Sequence, residues 1–463
     1  MIGYEEFLAQ KRRIVPRVGF SVEASELHPR LFPFQRDIVS WALELGRAAI
    51  FAGTGLGKTS MQLEWAAYVV SRTGRPVLIL APLAVAQQTV REGLILAIQV
   101  IHVREADEVS GPAVYITNYD RASRFDPALF AGIVLDESSI LKAHDGKTRT
   151  ALIESWQGTR FRLCCTATPA PNDFMELANH AEFLGAMTRV EMLATFFVHD
   201  GGETQKWRLK GHAERDFWKW MASWAVMLTS PRDLGYDGSA YVLPPLEIVE
   251  HVVESAPTDT GLLFAIEAQT LQERRAARRA SIGERVRVVA DIVAREPDEP
   301  WLIWCDLNDE AEAIARVIPS AVEVRGTDDS DLKEARLLGF VDGEPRNLVT
   351  KASIAGYGMN WQHCARVAFC GVSDSFEQFY QAIRRCYRFG QKRAVVVHVV
   401  TSSAENAVLQ NLKRKERDAH RMVAFMVAEI QLHSDVRPGP RANTEALARR
   451  YVIPSWLEVS AND

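Results

Sequence analysis

Short apolar runs, each closed by a small or polar turn, alternate along this chain with longer stretches whose apolar positions recur at helical spacing. A first series comprises Ala48–Phe51, Val77–Leu80, Val114–Thr117, Ile133–Leu135 and Phe161–Cys165. A second comprises Trp301–Cys305, Ala321–Val324, Leu348–Thr350, Val367–Phe369 and Val395–Val400. Unbroken apolar runs without alternation read as strands buried on both faces, the habit of parallel sheets covered by helices. Two such series predict an α/β chain with two doubly wound parallel sheets, divided near Leu243-Pro244-Pro245, where a proline pair interrupts regular structure. A second break, Pro438-Gly439-Pro440, precedes a short tail.

Between the series lies a tryptophan-rich stretch. Phe217, Trp220, Met221, Trp224, Met227 and Leu228 recur at helical spacing, which favours core packing over base stacking; Trp207 and Trp218 fall off that stripe and stand as contact residues. Arg274, Arg275, Arg278 and Arg279 form a dense basic stretch on an expected helix, open to two readings: a face near a duplex or a solvated face.

Composition narrows the class without deciding it. The chain has 463 residues, 47% hydrophobic and 24% charged, enough to bury two or three ordinary cores and too apolar for disorder. The net charge of −5 gives no global footprint for nucleic acid and leaves a local one open. Six cysteines without a C-x-x-C pair, most of them in apolar runs, point to a reducing compartment and no structural zinc. The amino terminus lacks the order of a secretion signal and no apolar stretch reaches bilayer length, so the expectation is a soluble, cytoplasmic protein with no membrane partner.

Chemistry concentrates in three places. Ala52-Gly53-Thr54-Gly55-Leu56-Gly57-Lys58-Thr59 fits the phosphate-cradling loop at every fixed position, between an apolar run (Ala48–Phe51) and a helical pattern (Met61–Tyr68). Its glycines permit the backbone angles that turn amides onto a polyphosphate, Lys58 suits the β and γ phosphates, and the Thr59 hydroxyl suits Mg²⁺. Asp136-Glu137 follows the run Ile133–Leu135, so both carboxylates are expected at the carboxyl edge of the same sheet, Asp136 as a metal station and Glu137 as general base. In Gln381–Gln391, a helical conformation would place Gln381, Arg385 and Arg388 on one face, where the cations could meet a γ-phosphate; a solvated or salt-bridged face is the alternative.

These segments, taken in order, resemble a superfamily 2 helicase, and within it the SWI/SNF-type DNA translocase ATPases, in a compact form like those of bacteriophages and bacteria. Phe34-Gln35 resembles the glutamine motif that reads adenine, Gly53–Thr59 motif I, Ala81-Pro82-Leu83 motif Ia and Thr117-Asn118-Tyr119 motif Ib. Asp136–Ser139 with Leu141-Lys142 resembles motif II, and Thr166–Pro169 with Asn172 and Glu176-Leu177 resembles motif III and its continuation. Gly326, Arg336 and Phe340 fit the spacing after motif IV, Ala355–Asn360 resembles motif V, and Gln381–Gln391 resembles motif VI. The chain departs from the family pattern at Ser138-Ser139, Arg384 and Tyr387, positions that couple nucleotide state to the lobes.

The resemblance spans roughly residues 30 to 430 and implies two tandem RecA-like domains with a helical insertion. The expected organisation is an extension over 1–28, an ATP-binding lobe over 29–185, a helical insertion over 186–245, a linker and basic helix over 246–280, a second lobe over 281–437 and a tail over 438–463. It implies ATP and Mg²⁺ as cofactors, with Gln35, Gly53 to Thr59, Asp136, Gly358 and Gln381 binding nucleotide, Thr59 and Asp136 holding the metal, and Glu137, Arg385 and Arg388 catalytic. The implied activity is nucleic-acid-dependent ATP hydrolysis driving movement along the backbone of double-stranded DNA. An RNA-directed helicase and a nucleotide-gated binding subunit are the alternatives.

Overall fold

A computed structural model describes residues 17–436 apart from 83–84, 143–145, 171–173, 200–206, 255–277, 357–358, 374, 404–405 and 434–435. The chain divides into two compact units, Met1–Ala240 with Met422–Asp463, and Tyr241–Arg421. Each is mixed α/β and built on a large parallel sheet.

In the first unit, β1 (Arg47–Ala52), β2 (Val77–Ala81), β3 (Val100–His102), β4 (Val114–Asn118), β5 (Gly132–Asp136) and β6 (Phe161–Thr166) are joined by a later strand, β9 (Ala225–Leu228). Their order is β3-β4-β2-β5-β6-β1-β9, and every pairing is parallel. β2, β4, β5 and β6 are buried along their whole length, which is why they appear in the sequence as unbroken apolar runs. All strands therefore present their carboxyl ends along one edge.

The 186–245 insertion, expected to be helical, is mixed. It contributes a short antiparallel hairpin of β7 (Phe197–His199) and β8 (Trp207–Leu209), a helix over Glu214–Ala222, and β9, which adds to the main sheet beside β1. The helical period inferred through Leu228 therefore runs too far: the helix ends at Ala222, and Met227 and Leu228 lie in a strand. Core packing does hold for the whole stripe, with Phe217, Trp220, Met221, Trp224, Met227 and Leu228 all buried. Trp218, expected as an exposed contact, is fully buried among Phe174, Phe217 and Phe425, because both flanks of this short helix are covered. Trp207 is half-buried and packs on the same cluster.

In the second unit, β11 (Trp301–Cys305), β12 (Ala321–Glu323), β13 (Asn347–Lys351), β14 (Arg366–Cys370) and β15 (Val395–Ser402) follow the expected runs. The sheet gains an edge strand, β10 (Leu246–Val253), giving the parallel order β10-β15-β14-β11-β13-β12. Of the basic stretch, Arg274 and Arg275 lie outside the described residues. Arg278 is neither solvated nor open to a duplex: it is buried and ion-paired to Asp306.

A buried charge cluster ties the helices of this unit to its sheet. Arg285 and Glu310 are both fully buried and meet at 2.7 Å. Glu310 also accepts from the amides of Asp306 and Leu307 at 2.9 Å, and Arg285 Nε donates to Ser281 Oγ at 3.0 Å. Gly371, at φ +85°, is needed beside them, since a Cβ there would lie 2.6 Å from Arg285 Nη1. Removing one partner strands a buried charge, so Glu310→Ala is expected to destabilise this unit by about 3–5 kcal/mol, measured by denaturant unfolding.

Candidate functional site

The phosphate-loop sequence leaves the carboxyl end of β1 and opens the Lys58–Thr73 helix. Gly55 and Gly57 have φ of +88° and +77°, angles at which a side chain is strained, so these two glycines are used as expected, whereas Gly53 is not in that region. Gly57 has a second reason to lack a side chain: its Cβ would lie 2.2 Å from Gln35 Nε2. Gln35 is buried, donates to the Leu56 carbonyl at 2.9 Å and accepts from the Phe32 amide at 2.9 Å. The glutamine expected to read adenine buttresses the loop. Lys58 Nζ donates to Ala52 O at 2.8 Å and Gly53 O at 3.4 Å, which holds its ammonium across the loop.

Two strands away on the same edge, Asp136 ends β5, with Glu137 next to it. Both are buried. Burial, reinforced by the charge of Glu137, pushes the Asp136 carboxyl up to about 7 against the pull of Lys58. The fully buried Gln62, one helical turn beyond Lys58, eases this ionisation without making a hydrogen bond of normal geometry. Asp136 and the Thr59 hydroxyl are oxygen donors of the kind Mg²⁺ takes, and the charge of such an ion would favour the ionised form of Asp136. Tyr119, read from sequence as part of motif Ib, is buried, and its hydroxyl donates to the Asp136 carbonyl at 2.8 Å.

Glu137 has φ +55°, a left-handed conformation that a glutamate adopts only when its surroundings impose it. The restraint is visible. Glu137 Oε1 accepts from Thr166 Oγ1 at 2.5 Å and from Ser139 Oγ at 3.1 Å. Ser138 Oγ in turn pairs with His180 Nε2 at 3.0 Å, and the His180 ring packs edge-on to Phe51 of β1 at 5.2 Å. Of the two serines that depart from the SWI/SNF-type pattern, Ser139 therefore holds Glu137, while Ser138 is tied to His180. His180 was invisible to sequence reasoning: it stands 42 positions from Ser138 and carries no motif. Thr166→Val and Ser139→Ala are each expected to lower kcat for ATP about tenfold while KM stays within about threefold, with Thr166→Ser restoring most of the rate. A change in KM alone would assign these residues to binding.

In the second unit the Phe376–Ile383 helix stops before the arginines, so Arg385 and Arg388 lie in the following turn and not on a helix face with Gln381. They converge by another route. Arg385 Nη1 and Arg388 Nη1 each donate to the Met359 carbonyl at 3.3 Å. Arg385 is buried and also bonds Gln381 through the backbone carbonyl and through Oε1, both at 2.9 Å, whereas Arg388 is half-buried. Gln391 fastens the turn by donating to the carbonyls of Gln362, Cys364 and Cys386. The two other departures from the family pattern meet each other: the Arg384 guanidinium lies over the rings of Tyr380 and Tyr387 at 4.9 and 5.1 Å. Gly358 and Asn172 fall outside the described residues.

No family model matches the chain. It is 31% identical over 179 residues to putative protein p41 of Acyrthosiphon pisum secondary endosymbiont phage 1, a stretch covering 33% of this chain and 38% of that protein. It is 33% identical over 142 residues to SWI/SNF-related matrix-associated actin-dependent regulator of chromatin subfamily A-like protein 1 of Xenopus tropicalis, covering 28% of this chain and 15% of that protein. The chain thus matches well under half the length of either curated relative. The similarity to the SWI/SNF-related regulator is partial and distant. Among the described residues no helix is long and apolar enough to cross a membrane.

Proposed function

We propose that the chain is an ATPase of the superfamily 2 helicase type, close to the SWI/SNF translocases, in which two RecA-like units use ATP to move along double-stranded DNA. The observation that carries this reading is the pairing, on one sheet edge, of the phosphate loop with a buried acidic pair whose glutamate is clamped in a strained conformation. A Gly-rich turn with no catalytic duty would not need such a partner. The partial likeness to a SWI/SNF-related regulator supports DNA as the polymer.

In this mechanism the amides of Gly53 to Lys58 cradle the β and γ phosphates, and Lys58 exchanges its loop carbonyls for phosphate oxygens. Thr59 and Asp136 would hold Mg²⁺, which supplies charge neutralisation at the phosphates. Glu137, fixed through one carboxylate oxygen, has the other to orient water and accept its proton. Arg388 stabilises charge developing on the γ-phosphate, and the buried Arg385 holds the turn that presents it.

Arg388→Ala is accordingly expected to lower kcat at least about tenfold with little change in ATP affinity. Arg385→Ala should instead lower the unfolding temperature. ATP-driven displacement of a third strand from a DNA triplex tests movement itself: displacement that stops in Lys58→Ala is expected, and polymer-stimulated hydrolysis without displacement would reduce the protein to a nucleotide-gated binder.

A further inference from the structure

The first unit carries a second cleft that the motor reading does not use. It has a volume of about 720 Å³ and lies at the opposite edge of the sheet from the phosphate loop, where β2, β5 and β6 begin. Those strands have five or six residues, which places the cleft roughly 15–20 Å from the acidic pair at about 3.3 Å per residue. The volume falls within the roughly 300–1,000 Å³ range of small-molecule pockets.

Three arginines from two places in the chain share its lining: Arg72 near the end of the Lys58–Thr73 helix and Arg75 just ahead of β2, with Arg160 ahead of β6. Among the described residues none of the three is paired with a carboxylate. Arg75 donates to the Ala128 carbonyl, and Arg160 donates through Nε and Nη2 to the Val18 carbonyl at 2.9 and 2.8 Å. Arg72 lies over the Phe20 and Tyr68 rings at 5.6 and 5.9 Å. The one carboxylate in the lining, Asp126, accepts from the Ala128 amide at 2.9 Å. The floor is apolar, with Phe20 stacked on Phe161 at 4.9 Å. Beside it sits Thr159, 4% exposed, whose Oγ1 is buried without a hydrogen-bond partner.

Guanidinium groups bonded to backbone carbonyls keep a fixed position and retain further N–H groups, the arrangement that favours tetrahedral anions. An apolar floor adds contact area for an organic moiety. From this combination we infer that the cleft is a binding site for a small phosphate-bearing ligand of about nucleotide size, separate from the phosphate loop. The inference goes beyond the motor reading and does not depend on it.

Free phosphate esters and the phosphodiesters of nucleic acid share this chemistry, so the test needs both. In the full-length Lys58→Ala protein, where the phosphate loop is disabled, pyrophosphate, AMP and a duplex oligonucleotide are titrated separately by calorimetry. The expected result is saturable binding of pyrophosphate or AMP with a Kd below about 1 mM, weakened at least about tenfold by Arg72→Glu and by Arg75→Gln, with duplex affinity unchanged. Arg72 is held by the Phe20 and Tyr68 rings and not by a backbone carbonyl, so Arg72→Glu removes only that ring contact along with the charge, and an unchanged unfolding temperature checks that the fold survives. Absence of saturable binding, binding indifferent to both substitutions, or loss of duplex binding alone would each overturn the inference.

Discussion

Glu137→Gln is expected to slow ATP hydrolysis at least about 100-fold while ATP affinity stays within about threefold, the signature of a lost general base. The substitution is informative because glutamine keeps an acceptor oxygen for Thr166 and Ser139, the two hydroxyls that hold Glu137. The clamp therefore survives, and with it the φ of +55° at this residue. Only the ability to take a proton is removed. Single-turnover hydrolysis alongside calorimetric titration with ATP separates the two quantities. A variant retaining more than about a tenth of the wild-type rate would remove Glu137 from the reaction.

Asp136→Asn is expected to abolish turnover and, in the same molecule, to stabilise the nucleotide-free fold. The carboxyl is raised to about 7 by burial and by the charge of Glu137. In the unfolded chain it titrates near its ordinary value of about 3.9, so between about pH 4 and pH 7 the unfolded state has released a proton that the folded state retains. Stability from this group therefore falls as pH rises through that window and stays low above it. The difference between the two values corresponds to at most about 4 kcal/mol. Asparagine has no charge to bury, so its gain in unfolding temperature should be largest above pH 7 and vanish near pH 4. Such a trade of stability for chemistry is usual at functional carboxylates. Equal unfolding temperatures for wild type and variant at pH 8 would show that Asp136 is not strained by burial.

What the sequence made legible follows from where the physical signal resides. Strands such as Val77–Ala81 and Trp301–Cys305 are buried on both faces, so burial and identity coincide in one continuous run. The edge strand Leu246–Val253 escaped notice for the converse reason: half-exposed along most of its length, it interleaves Glu247, Glu250 and His251 with its apolar residues and resembles a linker. Ala225–Leu228 carries a helical period although it is a strand, because Trp224, Met227 and Leu228 happen to continue the spacing of the preceding helix.

At the candidate site the same division holds. Lys58, Thr59, Asp136 and Glu137 were legible because a tight turn and a strand end place them by local geometry alone. Thr166 and Ser139 could be named as motif positions, yet the Thr166 bond to Glu137 depends on β5 and β6 lying side by side, and the Ser139 bond on the turn that follows β5. His180 and the Tyr119 bond to Asp136 depend on tertiary packing, and packing leaves no local mark in sequence. The arginine turn shows the limit of periodicity: the residues converge on Met359 although the helix that would have aligned them ends at Ile383.

The central claim is that ATP hydrolysis here answers to nucleic acid. It is tested most directly by steady-state ATP turnover without polymer and with duplex DNA, single-stranded DNA or RNA at fixed, low salt. The account predicts at least about tenfold stimulation by duplex DNA, weaker effects of the other polymers, and loss of the stimulated rate as salt displaces the protein from the backbone. A turnover rate indifferent to all three polymers would contradict it.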